Sequence, residues 1–214
     1  MNQAAVIAEI TDILEETCRA HNLPLALTWV SSNSLKNNKR TLKVVSSACC
    51  VNDLGMQGFL KACIGHHLEE GQGVAGKALK STHHCSVSDV CLLGVADYPF
   101  VDDARISGLR AALAIKLMIK EGFYRSNVDY VVEFFLPANL EALEEKTLMD
   151  GISASLRKFC ENSRTVIAPV VGTPDPHHKL HEYMDGGDVG WPSPSRFGWR
   201  PKSIWAYFIV LLFI

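Results

Sequence analysis

The sequence has no apolar run long enough to cross a bilayer, no CxxC pair and no surplus of basic charge. Each absence closes off a class of function. The longest apolar run, residues 204–214, has eleven residues, against the roughly 20 that a spanning helix needs. Arg196, Arg200 and Lys202 precede it and would suit a membrane surface, but the run has no polar face, so no membrane anchor is expected. Lys and Arg number 21 against 23 Asp and Glu, and a net charge of -2 leaves no basic footprint for nucleic acid. Seven cysteines, an odd number, stand at 18, 49, 50, 63, 85, 91 and 160. The start Met1-Asn2-Gln3-Ala4-Ala5 lacks the basic and apolar segments of a signal peptide. A reducing intracellular setting with free thiols, mostly in the core, is expected. No Gly-x-Ser-x-Gly occurs and no Gly-Lys-Ser/Thr follows the glycines, so the chain reads as neither a hydrolase nor a phosphate-loop enzyme.

What the sequence does have is a paired histidine running into a glycine loop, His66-His67-Leu68-Glu69-Glu70-Gly71-Gln72-Gly73-Val74-Ala75-Gly76-Lys77-Ala78-Leu79. Glycines let the backbone approach a neighbour closely, and the amides that open the following helix lack intrahelical partners. With histidine alongside, the stretch predicts a site for a small anion. Upstream, Val6, Ile7, Ile10, Ile13, Leu14 and Thr17 recur at helical spacing. Strands are predicted over 25–30, 42–48, 84–90, 111–117 and 130–136, with short helices around 57–63, up to 79, and over 99–107. In the last helix Asn139 is the candidate cap, and Leu148, Ile152, Leu156 and Phe159 keep one apolar stripe. The order predicts an α+β fold, a mostly antiparallel sheet flanked by helices. Residues 1–170 are expected to form that domain. The stretch 173–198, rich in Pro, Gly, Asp and Ser, predicts disorder, so 171–214 read as a disordered linker and short apolar tail.

Four segments, His21-Asn22-Leu23-Pro24-Leu25-Ala26-Leu27-Thr28-Trp29-Val30, the stretch 66–79, Asp97-Tyr98-Pro99-Phe100-Val101 with Ala104-Arg105, and Asp129-Tyr130-Val131-Val132-Glu133-Phe134-Phe135-Leu136-Pro137, occur in this order. Together they resemble the NIN-like proteins, the plant nitrate-responsive transcription factors. The resemblance covers roughly 8–168 and implies a GAF-type sensory domain that binds nitrate without a cofactor, in the nucleus and cytoplasm. The family's RWP-RK DNA-binding and PB1 interaction domains have no counterpart in this sequence, so a sensor without its effector is expected, from a truncated chain or gene model. Direct DNA binding is not expected. The alternative is a non-sensing interaction module, its first and last helices pairing between subunits, that associates with itself or with full-length family members.

By the same resemblance, the nitrate pocket draws on His66, Leu68, Tyr98, Pro99, Val101, Val131 and Glu133. Gln57-Gly58-Phe59 stands where the family usually shows Trp-Gly-Phe, which removes an indole wall and its N–H donor. Nitrate is a planar, weakly basic monoanion that needs several donors in a dry cavity. His66, the Tyr98 hydroxyl and the loop amides are the expected donors. Glu133 is the odd member, because a carboxylate repels an anion. Alternation between Val131 and Phe135 predicts its burial, and a buried carboxylate needs a partner. Two stand open: His66 or His67, held as imidazolium with a raised pKa, or Arg105 or Arg110 in an ordinary ion pair. Tyr98 reads alternatively as a core residue with its hydroxyl at the surface. Cys49-Cys50 reads as a strand end. His83-His84-Cys85 with Cys91 matches no zinc spacing, and His177, His178 and His181 fall in the predicted disordered stretch, so no metal is expected.

Overall fold

The computed structural model describes residues 3–33, 40–119, 128–164 and 166–167. Helix α1 (Gln3–His21) buries Val6, Ile10, Ile13, Leu14, Thr17 and Cys18, the stripe that the i, i+3, i+4 spacing draws. Asn22 ends it in left-handed backbone, φ 51°, while the Leu23 amide donates back to the Cys18 carbonyl at 3.0 Å. This is a Schellman stop, and Pro24 beyond it cannot continue the helix.

Strand β1 (Leu25–Asn33) follows as an inner strand. It pairs antiparallel with β2 (Arg40–Val44) on one side and with β7 (Tyr130–Phe135) on the other. Beyond β7 come β6 (Ala112–Ile119) and then β5 (Cys85–Val87); beyond β2 comes β4 (Leu68–Glu69). The order is β4-β2-β1-β7-β6-β5, with the short β3 (Cys50–Val51) on β1 and β8 (Val166–Ile167) on β6. Every described pairing is antiparallel, as the sequence predicts.

Strand β7 is buried at all its positions, and alternation sorts them onto two faces. Tyr130, Val132 and Phe134 pack with Leu113 and Ile115 against α1 and α5 (Ala142–Asn162). Val131 and Phe135 pack with Leu27, Trp29, Ala112 and Ala114 on the other face. There the cover comes from α2 (Gln57–Gly65), α3 (Gly73–Lys80) and α4 (Val101–Ile106). Glu133 shares the phase of this second face.

Five sequence expectations change. The strand expected over 84–90 spans only Cys85–Val87, and Val90–Leu92 form a 3₁₀ turn. The strand expected over 42–48 ends at Val44, and Ser46–Ala48 form a 3₁₀ turn. Strands β3, β4 and β8 went unseen because two residues carry no alternation. Asn139 is not the cap of α5: it sits at φ 66°, and Glu141 caps the helix in a capping box with Glu144. The apolar stripes of α1 and α5, which the alternative reading pairs between subunits, lie against each other and the sheet within this chain, with His21 Nε2 and the Ser155 hydroxyl 2.8 Å apart. Residues 171–214, with the predicted linker, tail and His177, His178 and His181, lie outside the described residues.

The glycine corner closes by its own backbone. Gly71, Gln72, Gly73 and Gly76 donate their amides to the carbonyls of Gly76, Glu69, Asp97 and Gln72. These glycines have the spacing GxGxxG, but β4 ahead of α3 is antiparallel to β2, so the βαβ setting of a dinucleotide site is lacking. They serve close packing instead. A Cβ on Gly76 would lie 2.5 Å from the Glu69 carbonyl oxygen, and one on Gly73, at φ 60°, would lie 2.8 Å from Tyr98 Cδ2. Gly76→Ala is therefore expected to cost about 1–3 kcal/mol through overpacking against backbone. Gly58→Ala in α2, whose Cβ meets nothing within 4 Å, is expected to be neutral or to gain up to about 1 kcal/mol. Urea midpoints of the two variants check this; equal stability of Gly76→Ala and wild type would refute the packing role.

Candidate functional site

The register of β1 against β7 sets Leu27 opposite Glu133 and Trp29 opposite Val131. The indole is thus a diagonal neighbour of the carboxyl on one face, within reach of a long side chain. Trp29 Nε1–H donates to Glu133 Oε2 at 2.8 Å, and both residues are 0% exposed. The second carboxyl oxygen, Oε1, has no partner, and neither has the Tyr98 hydroxyl, also buried. Burial lifts the Glu133 pKa from 4.5 to about 7, with the Trp29 bond pulling the other way. Burial, and then the Glu133 carboxyl, push the Tyr98 phenol well above its ordinary value.

Aromatic rings enclose this polar spot. The Phe100 ring centre stands 6.1 Å from Trp29, 6.3 Å from Phe59, 5.7 Å from Tyr98 and 6.0 Å from His66. Phe59 meets Phe135 edge-on at 5.1 Å. The glycine corner holds the covering segment down: Gly73 N–H donates to the Asp97 carbonyl at 2.6 Å, and Gln72 Nε2 to the Ala96 carbonyl at 3.0 Å.

Of the residues expected from the sequence, Leu68, Tyr98, Val101 and Val131 come together in one buried cluster, with Glu133 on the same sheet face. Pro99 is half-buried between Tyr98 and Phe100. His66 sits exposed at the rim, its edge toward Phe100 and its Nδ1–H donating to the Ala62 carbonyl at 2.9 Å.

Both open partners for Glu133 are overturned. His66 and His67 are exposed. Arg105 bonds Asp102 and the Cys91 carbonyl, each at 2.7 Å, and Arg110 pairs with Asp89. Strand register, which a single strand's pattern does not reveal, hands the carboxylate to Trp29. The Tyr98 hydroxyl lies in the interior rather than at the surface. Of the loop amides expected as donors, those of Gly71, Gln72, Gly73 and Gly76 are already used by carbonyls. Gln57 is exposed, and Phe59 supplies the wall.

Trp29, Phe59 and Phe100 are the residues that sequence reasoning missed. For Trp29 a signal existed: it shares the inward phase of Leu25 and Leu27, and a buried indole N–H wants an acceptor.

Two open clefts lie elsewhere. One, about 400 Å³, runs between α1 and the end of α5, lined by Glu9, Asp12 and Glu16 with Arg164. The other, about 530 Å³, borders Cys18, Cys49 and Cys50. Among the described residues, no group of three or more His, Cys, Asp or Glu is arranged to hold a metal ion, and no helix is long and apolar enough to cross a membrane.

An antiparallel sheet with two long helices on one face, and short helices covering a buried polar spot on the other, is the architecture of a GAF-type domain. The chain belongs to the NLP protein GAF domain family, whose model matches residues 1–164. It is 40% identical over 181 residues to Protein NLP2 of Oryza sativa subsp. japonica, covering 77% of this chain and 19% of that protein. It is 39% identical over 180 residues to Protein NLP9 of Arabidopsis thaliana, covering 77% and 20%. The chain thus spans about one fifth of the length of these relatives. Solved structures superpose only loosely: a Staphylococcus aureus NreA protein mutated in its nitrate binding site gives a TM-score of 0.41 at 21% identity, over 62% of this chain and 88% of that one. The family is regulatory, in agreement with the non-enzymatic reading of the sequence.

Folding raises the Glu133 pKa from 4.5 to about 7, so between those values the native chain keeps a proton that the unfolded chain releases. Stability therefore falls as pH rises through this window. Glu133→Gln removes the dependence, and the variant is expected to exceed wild type by about 3 kcal/mol at alkaline pH, the gap closing toward pH 4. Urea unfolding across that range checks it; parallel curves would show that Glu133 is not the source.

Proposed function

We propose that this chain is the nitrate-sensing module of a plant transcription regulator, taking the anion between the sheet and its aromatic cover. One observation carries the reading. Tyr98 OH and Glu133 Oε1 are both buried without partners, on the face where Leu68, Val101 and Val131 also gather. A buried polar group left unpaired costs about 1–3 kcal/mol, and a small planar ligand that bonds both recovers that cost. Membership of the NLP protein GAF domain family supports the regulatory setting, and the resemblance to nitrate-responsive factors supports nitrate as the ligand. In this reading DNA contact belongs to other parts of the longer relatives, and the setting is the nucleus.

The cover is the moving part. Tyr98, Phe100 and Phe59 are at most 1% exposed, so the anion enters by displacing them. Tyr98 lies on Gly73 at the start of α3, so its displacement shifts that helix against the sheet and carries the signal away.

Thermal melts of the full chain in nitrate against chloride, at matched ionic strength, test the proposal. Nitrate at a hundredfold excess over its Kd is expected to stabilise the fold by about 2.7 kcal/mol, with chloride doing less. Tyr98→Phe is expected to fold and to lose most of the nitrate response. Equal melting in both salts up to millimolar nitrate would remove nitrate sensing from this chain.

A further inference from the structure

An anion brought into a buried apolar layer needs a compensating positive charge. No arginine or lysine offers one here. Among the described residues, Glu133 is the only Asp, Glu, Lys, Arg or His that is buried. The cations bordering the cluster are committed. Arg40 holds Glu70 at 3.2 Å and also Asp129, and Lys116, on the same face of β6 as Ala114, holds Asp129 at 3.3 Å. Arg105 and Arg110 are bound to Asp102 and Asp89. His66 keeps to the exposed rim.

We propose that Glu133 is the proton carrier of the anion site: where the carboxyl starts ionised, the anion binds together with one proton, which stays on Glu133 Oε1 as an O–H that donates a hydrogen bond to the anion. The proposal rests on the anion-sensing reading above. The geometry supplies each part. Oε2 is engaged as acceptor of the Trp29 N–H at 2.8 Å, which leaves Oε1 to carry the hydroxyl. The Tyr98 O–H is a second, unengaged donor in the same interior. A carboxylic acid kept neutral by its apolar site and used as a hydrogen-bond donor is established chemistry in other proteins. Where Glu133 starts ionised, the site gains no net charge on binding, since one proton and one monoanion enter together; where it is already protonated, its O–H is ready as donor and no proton is taken up.

The other titratable groups facing Glu133 do not compete for this proton. From the cover, Tyr98 and Cys63 are pushed up chiefly by burial, Glu133 adding to both. Cys49 and Cys91 are pushed up by burial as well. All four stay neutral near pH 7. Asp103 on α4 acts on Cys63, and Asp129, just before β7, is neutralised by Arg40 and Lys116; the Glu133 shift itself comes from burial, opposed by the Trp29 bond. Burial sets the Glu133 midpoint at about 7, so the coupling falls where physiological pH changes.

Isothermal titration of the full chain with sodium nitrate, repeated in buffers of different ionisation enthalpy from pH 5.5 to 8.5, counts the protons. The expected result is uptake approaching one proton per nitrate above neutrality and none at the acid end. Affinity should fall about tenfold per pH unit once Glu133 is ionised in the free protein. Glu133→Gln should show no proton uptake and a flat pH profile, whatever its affinity; the slope is the readout. The wild-type count stands without any variant, should Glu133→Gln fail to fold. Nitrate heat without proton uptake, or a slope kept by Glu133→Gln, would overturn the proton carrier while leaving nitrate sensing intact. Absence of nitrate heat at every pH would overturn both.

Discussion

The antiparallel closure of β1 on β7 is the constraint on which the remaining structure depends. It joins residues 104 apart, Trp29 and Glu133, through one hydrogen bond in a dry layer. It also makes β7 a strand with both faces buried. From that placement the two sides of the sheet follow. Tyr130, Val132 and Phe134 demand the long helices α1 and α5, and Val131 and Phe135 demand the aromatic cover. A carboxyl at position 133 has no route to water on either side, and only the neighbouring strand is placed to satisfy it.

Electrostatics are divided by depth. The ion pairs of Arg40, Lys116, Arg105 and Arg110 are partly or largely open to solvent, where a single pair contributes little. Arg40 nonetheless ties separate parts of the chain, since it reaches Glu70, Asp129 and the Leu79 carbonyl. Inside, charge is avoided: thiols and phenol are held neutral by burial, and the single carboxyl is held half-way. That contrast gives the interior its chemistry. The interior thus holds two unpaired hydrogen-bonding groups, the Tyr98 hydroxyl and Glu133 Oε1, and, among the described residues, no buried cation.

The glycine corner illustrates how one sequence feature serves a different end from the one its composition suggests. Glycine, histidine and a helix start together read as anion chemistry. In the fold the amides of Gly71, Gln72, Gly73 and Gly76 are spent on carbonyls, and the lack of Cβ atoms at Gly73 and Gly76 lets Tyr98 and the Glu69 carbonyl come close. The unpaired polar atoms lie instead on Tyr98, in the segment this corner clamps, and on Glu133 of β7. Close approach was the correct physical reading of these glycines, but what approached was the protein's own tyrosine.

The sequence by itself determined the α+β class, the antiparallel sheet, the inward stripe of α1 and the burial of Glu133, because each rests on a local period of 3.6 or 2 residues. The family's ordered motifs were equally legible, and they named His66, Leu68, Tyr98, Pro99, Val101, Val131 and Glu133 as one group, of which Leu68, Tyr98, Val101 and Val131 share one buried cluster. Only the tertiary structure decided that Glu133 answers to Trp29, that His66 stays at the rim, and that α1 and α5 cover each other within one chain. Periodicity gives the face on which a side chain lies. Register between strands a hundred residues apart, and the packing of a cover onto a sheet, fix which two faces meet, and that information is in no single segment.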